Sequence, residues 1–114
     1  MRTRSKILVA AGFALAASAS GVLAQQPALV GKPEEAHKKI AMCEGCHGIP
    51  GYRTAYPHVY PVPKLGGQQA GYLSSALHAY KAGQRSHPSM RGIAASLSDQ
   101  DIADLAAYYA RGHK

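Results

Sequence analysis

The sequence predicts a small all-α domain built on three main helices. Apolar residues recur at three- and four-residue spacings in three segments, and stretches rich in Gly, Pro and Tyr join those segments. Nowhere do apolar and polar residues alternate convincingly as a half-buried strand would require.

The chain opens on Arg2, Arg4 and Lys6, followed by an apolar run from Ile7 to Ala17 and small residues up to Ala24. This is the pattern of a secretory signal, with Val22-Leu23-Ala24 as the cleavage site. The apolar run is only about half of the roughly 20 residues that a membrane-spanning helix needs. Residues 1–24 are therefore expected to be cleaved as a signal peptide, with no stable membrane insertion afterwards. Residues 25–114 remain as a single domain, too short for two and exported to the periplasm.

The first helix is expected near Pro33, a residue suited to a first helical turn, with Glu34 and Glu35 against the positive end of the helix dipole. Ala36 and Ile40 then share a face with Cys43. A middle helix over 69–82 carries Leu73, Leu77 and Tyr80 on one face, and Gly83 ends it. Ser98 caps the final helix, Asp101 completes a capping box, and Leu97 staples onto Ile102. Ile102, Leu105, Ala106 and Tyr109 form its inward stripe, and Gly112 stops it, leaving His113 and Lys114 as an exposed tail. The segments 48–67 and 83–97 read as loops, the second holding His87, Pro88 and Met90.

Such a chain has a thin interior. Trp is absent, the single Phe lies in the signal, and Leu, Ile and Val together supply 13 residues of the mature domain. A bound apolar body is needed to complete the core. Charge adds little: after signal removal ten basic residues face six acidic ones, and no Lys/Arg cluster suggests a nucleic-acid partner.

Cys43-Glu44-Gly45-Cys46-His47 supplies the missing body, because C-x-x-C-H is the attachment signature of haem c. Residues three apart on a helix share a face, so both thiols reach the two vinyl groups of one porphyrin while His47 turns its imidazole to the iron. Other uses of two cysteines fit less well. A disulfide is the common fate of paired thiols in an oxidising compartment and is the first competing reading. A thioredoxin-like pair wants a strand before it, and zinc wants four ligands, whereas His58 has no second His three to five residues on. Blue copper leaves one cysteine unexplained.

Met90 is the expected sixth iron ligand. Met1 leaves with the signal, Met42 sits beside Cys43 on the attachment side, and Met90 lies 43 residues after His47 with a helix between them. His87, three residues earlier, is the rival, and the choice matters because a His/Met pair raises the reduction potential. His58 and His78 are weaker rivals, and His113 lies too near the terminus to be a serious candidate.

These residues resemble the class I cytochromes c, and within them single-haem domains similar to cytochrome c4 and cytochrome c553. The matching segments are Cys43 to Gly48, Pro63-Lys64-Leu65-Gly66-Gly67-Gln68, Tyr72-Leu73, Tyr80 to Arg85, and Met90 through Leu97-Ser98-Asp99 to Tyr109. The resemblance implies a class I cytochrome c fold wrapped around one covalently bound haem, with first and last helices crossing and His47 and Met90 flanking the iron. It also implies that the Pro63 carbonyl accepts the proton on the second nitrogen of His47. Two departures stand out: Ile49-Pro50-Gly51 follows the motif where family members commonly have Asp-Gly, and a Tyr- and Pro-rich stretch runs from Tyr52 to Pro63. With one haem motif, the chain is a half-sized relative of cytochrome c4.

The expected work is single-electron, outer-sphere transfer between redox proteins, with no bond broken and no catalytic residue. Donors would be a quinol-oxidising complex or dehydrogenase and acceptors an oxidase or reductase, met as a monomer or in weak complexes. Lys64, Lys81, Arg85 and Arg91 are candidates to steer acidic partners or pair with haem propionates, or are plain solvated charges. The alternatives are a haem enzyme or gas sensor with an open sixth position and a cytochrome subunit held permanently by an enzyme.

Overall fold

The computed structural model describes residues 29–56 and 58–113, so the expected signal peptide and its cleavage site lie outside the described residues. A 3₁₀ turn (Glu35–Lys38) leads into α1 (Ala41–His47). A two-stranded ribbon follows, β1 (Arg53–Thr54) and β2 (Tyr60–Pro61), then α2 (Ala70–Lys81), α3 (Pro88–Ala95) and α4 (Asp99–Ala110). The ribbon is antiparallel and only two residues deep, Arg53 facing Pro61 and Thr54 facing Tyr60, so the all-α class stands. Among the described residues no helix is long and apolar enough to cross a membrane.

Among the described residues the α-helix count is four rather than three, because the expected loop 83–97 contains α3. Pro88 starts it at a position where its missing N–H is no loss, and the His87 side chain accepts the Met90 N–H. Met90 thus sits in a helical first turn and not in a loop. The first helix also differs from expectation. Its opening turn is bound tightly, with Glu35 N–H donating to the Lys32 carbonyl and Ala36 N–H to that of Pro33. Lys39 (φ −126°) then interrupts the α geometry, so the element splits into the 3₁₀ turn and α1.

α2 runs where its periodicity placed it, and Gly83 (φ 74°) ends it in a conformation that side-chain-bearing residues avoid. α4 is the spine of the domain. Ile102, Leu105, Ala106 and Tyr109 are buried as the stripe requires, joined by Tyr108, and they pack with Ala36, Leu73 and Leu97. The expected capping box is complete: Ser98 Oγ accepts the Asp101 N–H at 3.1 Å while Asp101 Oδ2 accepts the Ser98 N–H at 2.9 Å.

The amino-terminal segment crosses α4 in close contact. A Cβ on Gly31 would run into the Ala103 carbonyl oxygen and the Ala107 side chain, so only glycine fits there. Next to it the Lys32 N–H donates to buried Asp104 at 2.7 Å, and the Gln100 amide donates to the same carboxylate oxygen at 2.7 Å. A buried carboxylate is tolerable only with such donors. At the other end of α4, His113 is exposed as expected, and its ring stacks on Tyr108 with centroids 4.3 Å apart.

Ser98 hydrogen bonds hold the Asp101 carboxyl below its ordinary value of 3.8, so its contribution is present at neutral pH and is lost as pH falls through the lowered value. Ser98→Ala is expected to lower unfolding free energy at pH 7 by about 1 kcal/mol. Urea unfolding at pH 7 and at about pH 3 should show the gap from wild type narrowing in acid.

Candidate haem site

The four helices and the ribbon do not close on one another; they enclose a cavity of about 570 Å³. α1 contributes Cys43, Cys46 and His47, α2 contributes Leu73, Leu77 and Tyr80, α3 contributes Met90 and Ile93, and α4 contributes Leu105 and Tyr109. The volume lies within the range of cofactor-sized sites, and the walls are mainly apolar.

The motif on α1 folds as its spacing predicts. Cys43 and Cys46 are one turn apart with free thiols, Cys43 packed against the core and Cys46 exposed. Gly48 closes the helix with its N–H on the Glu44 carbonyl at 3.0 Å. Burial pushes the Cys43 thiol above its ordinary pKa, partly countered by the nearby Tyr109 hydroxyl. Tyr109 is itself raised, first by burial and then by Cys43. Its hydroxyl is buried without a hydrogen-bond partner of ordinary geometry among the described residues.

His47 is oriented from behind. Its Nδ1 lies 2.7 Å from the Pro63 carbonyl oxygen, which can only accept, so Nδ1 carries the proton and Nε2 keeps a free lone pair. The contact expected from the family resemblance is therefore present.

Two of the sequence-named candidates for the iron's far side, Met90 and His87, line the cavity, and Met42 reaches its wall from α1. The remaining histidines do not. His78 is exposed 3.9 Å from Asp99, His113 stacks on Tyr108, and the His58 side chain is exposed beside the ribbon. Among the four named cations, Arg85 reaches the cavity wall, its guanidinium 4.7 Å from the centroid of Tyr80. A hydrogen bond that its guanidinium donates to the Tyr72 hydroxyl oxygen is the main cause that raises its pKa, and it has no carboxylate partner among the described residues. Lys64 also lies at the wall, Lys81 pairs with Asp99 at 2.9 Å, and Arg91 lies in the neighbouring groove beside His87.

The Tyr- and Pro-rich stretch, which the sequence offered as a segment that could wrap or shield a flat cofactor, folds as an unforeseen ribbon: Thr54 and Tyr60 join the cavity wall, and the Tyr60 ring meets His87 edge-on at 6.3 Å. The Tyr- and Pro-rich composition marked the stretch as unusual without saying which way it folds. The donor set suits a haem: two thiols one turn apart, an imidazole with its lone pair free, an apolar slot, and a cation lacking an anionic partner.

Comparison with known proteins agrees with this geometry. The family model described as cytochrome c matches residues 34–110. Cytochrome c-554(548) of Halomonas halodenitrificans is 47% identical over 74 residues, covering 62% of this chain and 84% of that protein. Cytochrome c4 of Pseudomonas aeruginosa is 46% identical over 72 residues, covering 63% of this chain; the chain spans only 34% of that longer protein. The crystal structure of reduced recombinant cytochrome c4 from Pseudomonas stutzeri aligns with a TM-score of 0.54 at 30% identity, covering 74% of this chain and 52% of that one. A family match across both the motif and the helices that enclose the cavity establishes that the protein belongs to the cytochrome c family and has haem c as its cofactor.

Proposed function

We propose that the protein is a periplasmic carrier of single electrons, with haem joined to Cys43 and Cys46 and its iron held between His47 and Met90. The observation that carries this is the His47–Pro63 contact, which fixes the ring's tautomer and leaves Nε2 as a ligand atom beside the two thiols. Haem so held supplies a one-electron ferric/ferrous couple.

The chain's own work is to hold, exclude and steer. Leu73, Leu77, Ile93 and Leu105 keep water from the cavity, and a dry site with a sulfur ligand favours the reduced state. Arg85, pinned by Tyr72 and Tyr80, is placed to meet a propionate. Partner choice follows from charge order. All six acidic residues fall at 34–44 and 99–104, whereas residues 45–98 carry Arg53, Lys64, Lys81, Arg85 and Arg91 and no acid. That middle stretch supplies the ribbon, α2 and α3 around the cavity, so it favours acidic redox partners met in loose, salt-sensitive encounters. Quinol-oxidising complexes or dehydrogenases as donors, and oxidases or reductases as acceptors, fit that role.

Intact-mass analysis of protein from the periplasm is expected to show a chain starting at Gln25 with one haem. In the ferric protein, Met90→Ala is expected to abolish the weak absorption of methionine sulfur bound to iron, and His87→Ala to retain it; the reverse pattern would make His87 the ligand. Reduction of hexacyanoferrate(III) is expected to slow as salt rises, about tenfold across the low-salt range, and that of a cationic cobalt complex to quicken.

A further inference from the structure

We propose that His87 is a positioning residue: its side chain caps α3 so that the turn bearing Met90 stays closed, and this makes the sulfur ligand hard to displace. The inference rests on Met90 as the iron ligand proposed above, and it gives the rival candidate at this site a different task.

Met90 is the third residue of α3, and its backbone N–H is one of the donors that a helix leaves unpaired at its start. His87 Nδ1 accepts that N–H at 3.4 Å. To accept, Nδ1 must be unprotonated, so in the neutral ring the proton sits on Nε2 and neither nitrogen offers a free lone pair to a metal. Ser, Thr, Asp and Asn are the usual residues for this position, and α4 uses one of them, Ser98. α1 and α2 have no side-chain N-cap. At α3 the chain therefore has a cap where two of its helices do without, and it uses a large ring instead of a short hydroxyl.

The ring has a use that a hydroxyl would not have. It lines the cavity wall beside Met90 and meets the Tyr60 ring edge-on at 6.3 Å. One side chain thus ties β2, the first turn of α3 and the cavity together. The cap fixes the backbone from which the Met90 side chain reaches into the cavity, so a departure of Met90 that carries its backbone along must open that turn and lose the cap.

Imidazole binds a six-coordinate ferric haem only by replacing an axial ligand, so its affinity reports how readily Met90 leaves. With holoprotein, His87→Ala is expected to raise imidazole affinity about tenfold, within the range that loss of a cap allows. His87→Asn, which restores a capping oxygen, is expected to bring it back to within about threefold of wild type. Ser98→Ala removes the corresponding cap from α4 and lowers global stability, yet is expected to leave imidazole affinity unchanged. Equal affinity in His87→Ala and wild type, no rescue by His87→Asn, or an equal rise in Ser98→Ala would each overturn the role of His87. Met90→Ala separates the two readings: if its removal leaves imidazole affinity unchanged, the ligand assignment itself fails.

Discussion

Among the described residues nine hydrophobic side chains are buried, and of these Leu97, Ile102, Leu105 and Tyr109 are the large ones left with 3% exposure or less. Three of the nine are alanines. A domain of this size buries too small a fraction of its surface to tolerate such an interior, so the space between its helices has to be occupied by something the chain does not encode. The cavity of about 570 Å³ is the counterpart of that deficit. Every helix gives it at least one wall, and the side chains that would otherwise complete a core face into it. A cofactor bound only by the folded chain then contributes stability as well as chemistry.

The same constraint explains how the site residues are held. His47, at the last turn of a seven-residue helix, gains its orientation from a carbonyl sixteen residues on rather than from the helix itself. Met90 depends on a first turn closed by His87. Arg85 is fixed between Tyr72 and Tyr80. In each case a side chain at the rim is set by a partner from another segment or turn, because no dense core stands behind it to do so.

Local chemistry was legible in the sequence and long-range chemistry was not. The capping box of α4 needs only Ser98 and Asp101, and the end of α2 needs only Gly83, so both could be read from short windows. The thiol and imidazole spacing likewise lies within a single turn. α3 escaped notice because its cap is a histidine, Gly92 interrupts it, and only Ala94 on it is buried. Buried Asp104 on the last helix takes one of its hydrogen bonds from a backbone N–H 72 positions away that no window contains. The orientation of the ribbon against His87 belongs to the same class.

The crossing of α4 over Gly31 and Lys32 also sets an order of events. Joining segments 72 positions apart closes almost the whole domain into a loop, and that entropy is recovered only when α4, the last element made, has arrived. A chain made from its amino terminus therefore displays the two thiols of α1 early, before the core that α4 completes has formed. Cys43 loses that accessibility once α4 docks behind it. Placing the reactive motif near the start and the closing helix at the end leaves Cys43 open until α4 docks and half-covered afterwards, while Cys46 stays exposed in the finished fold.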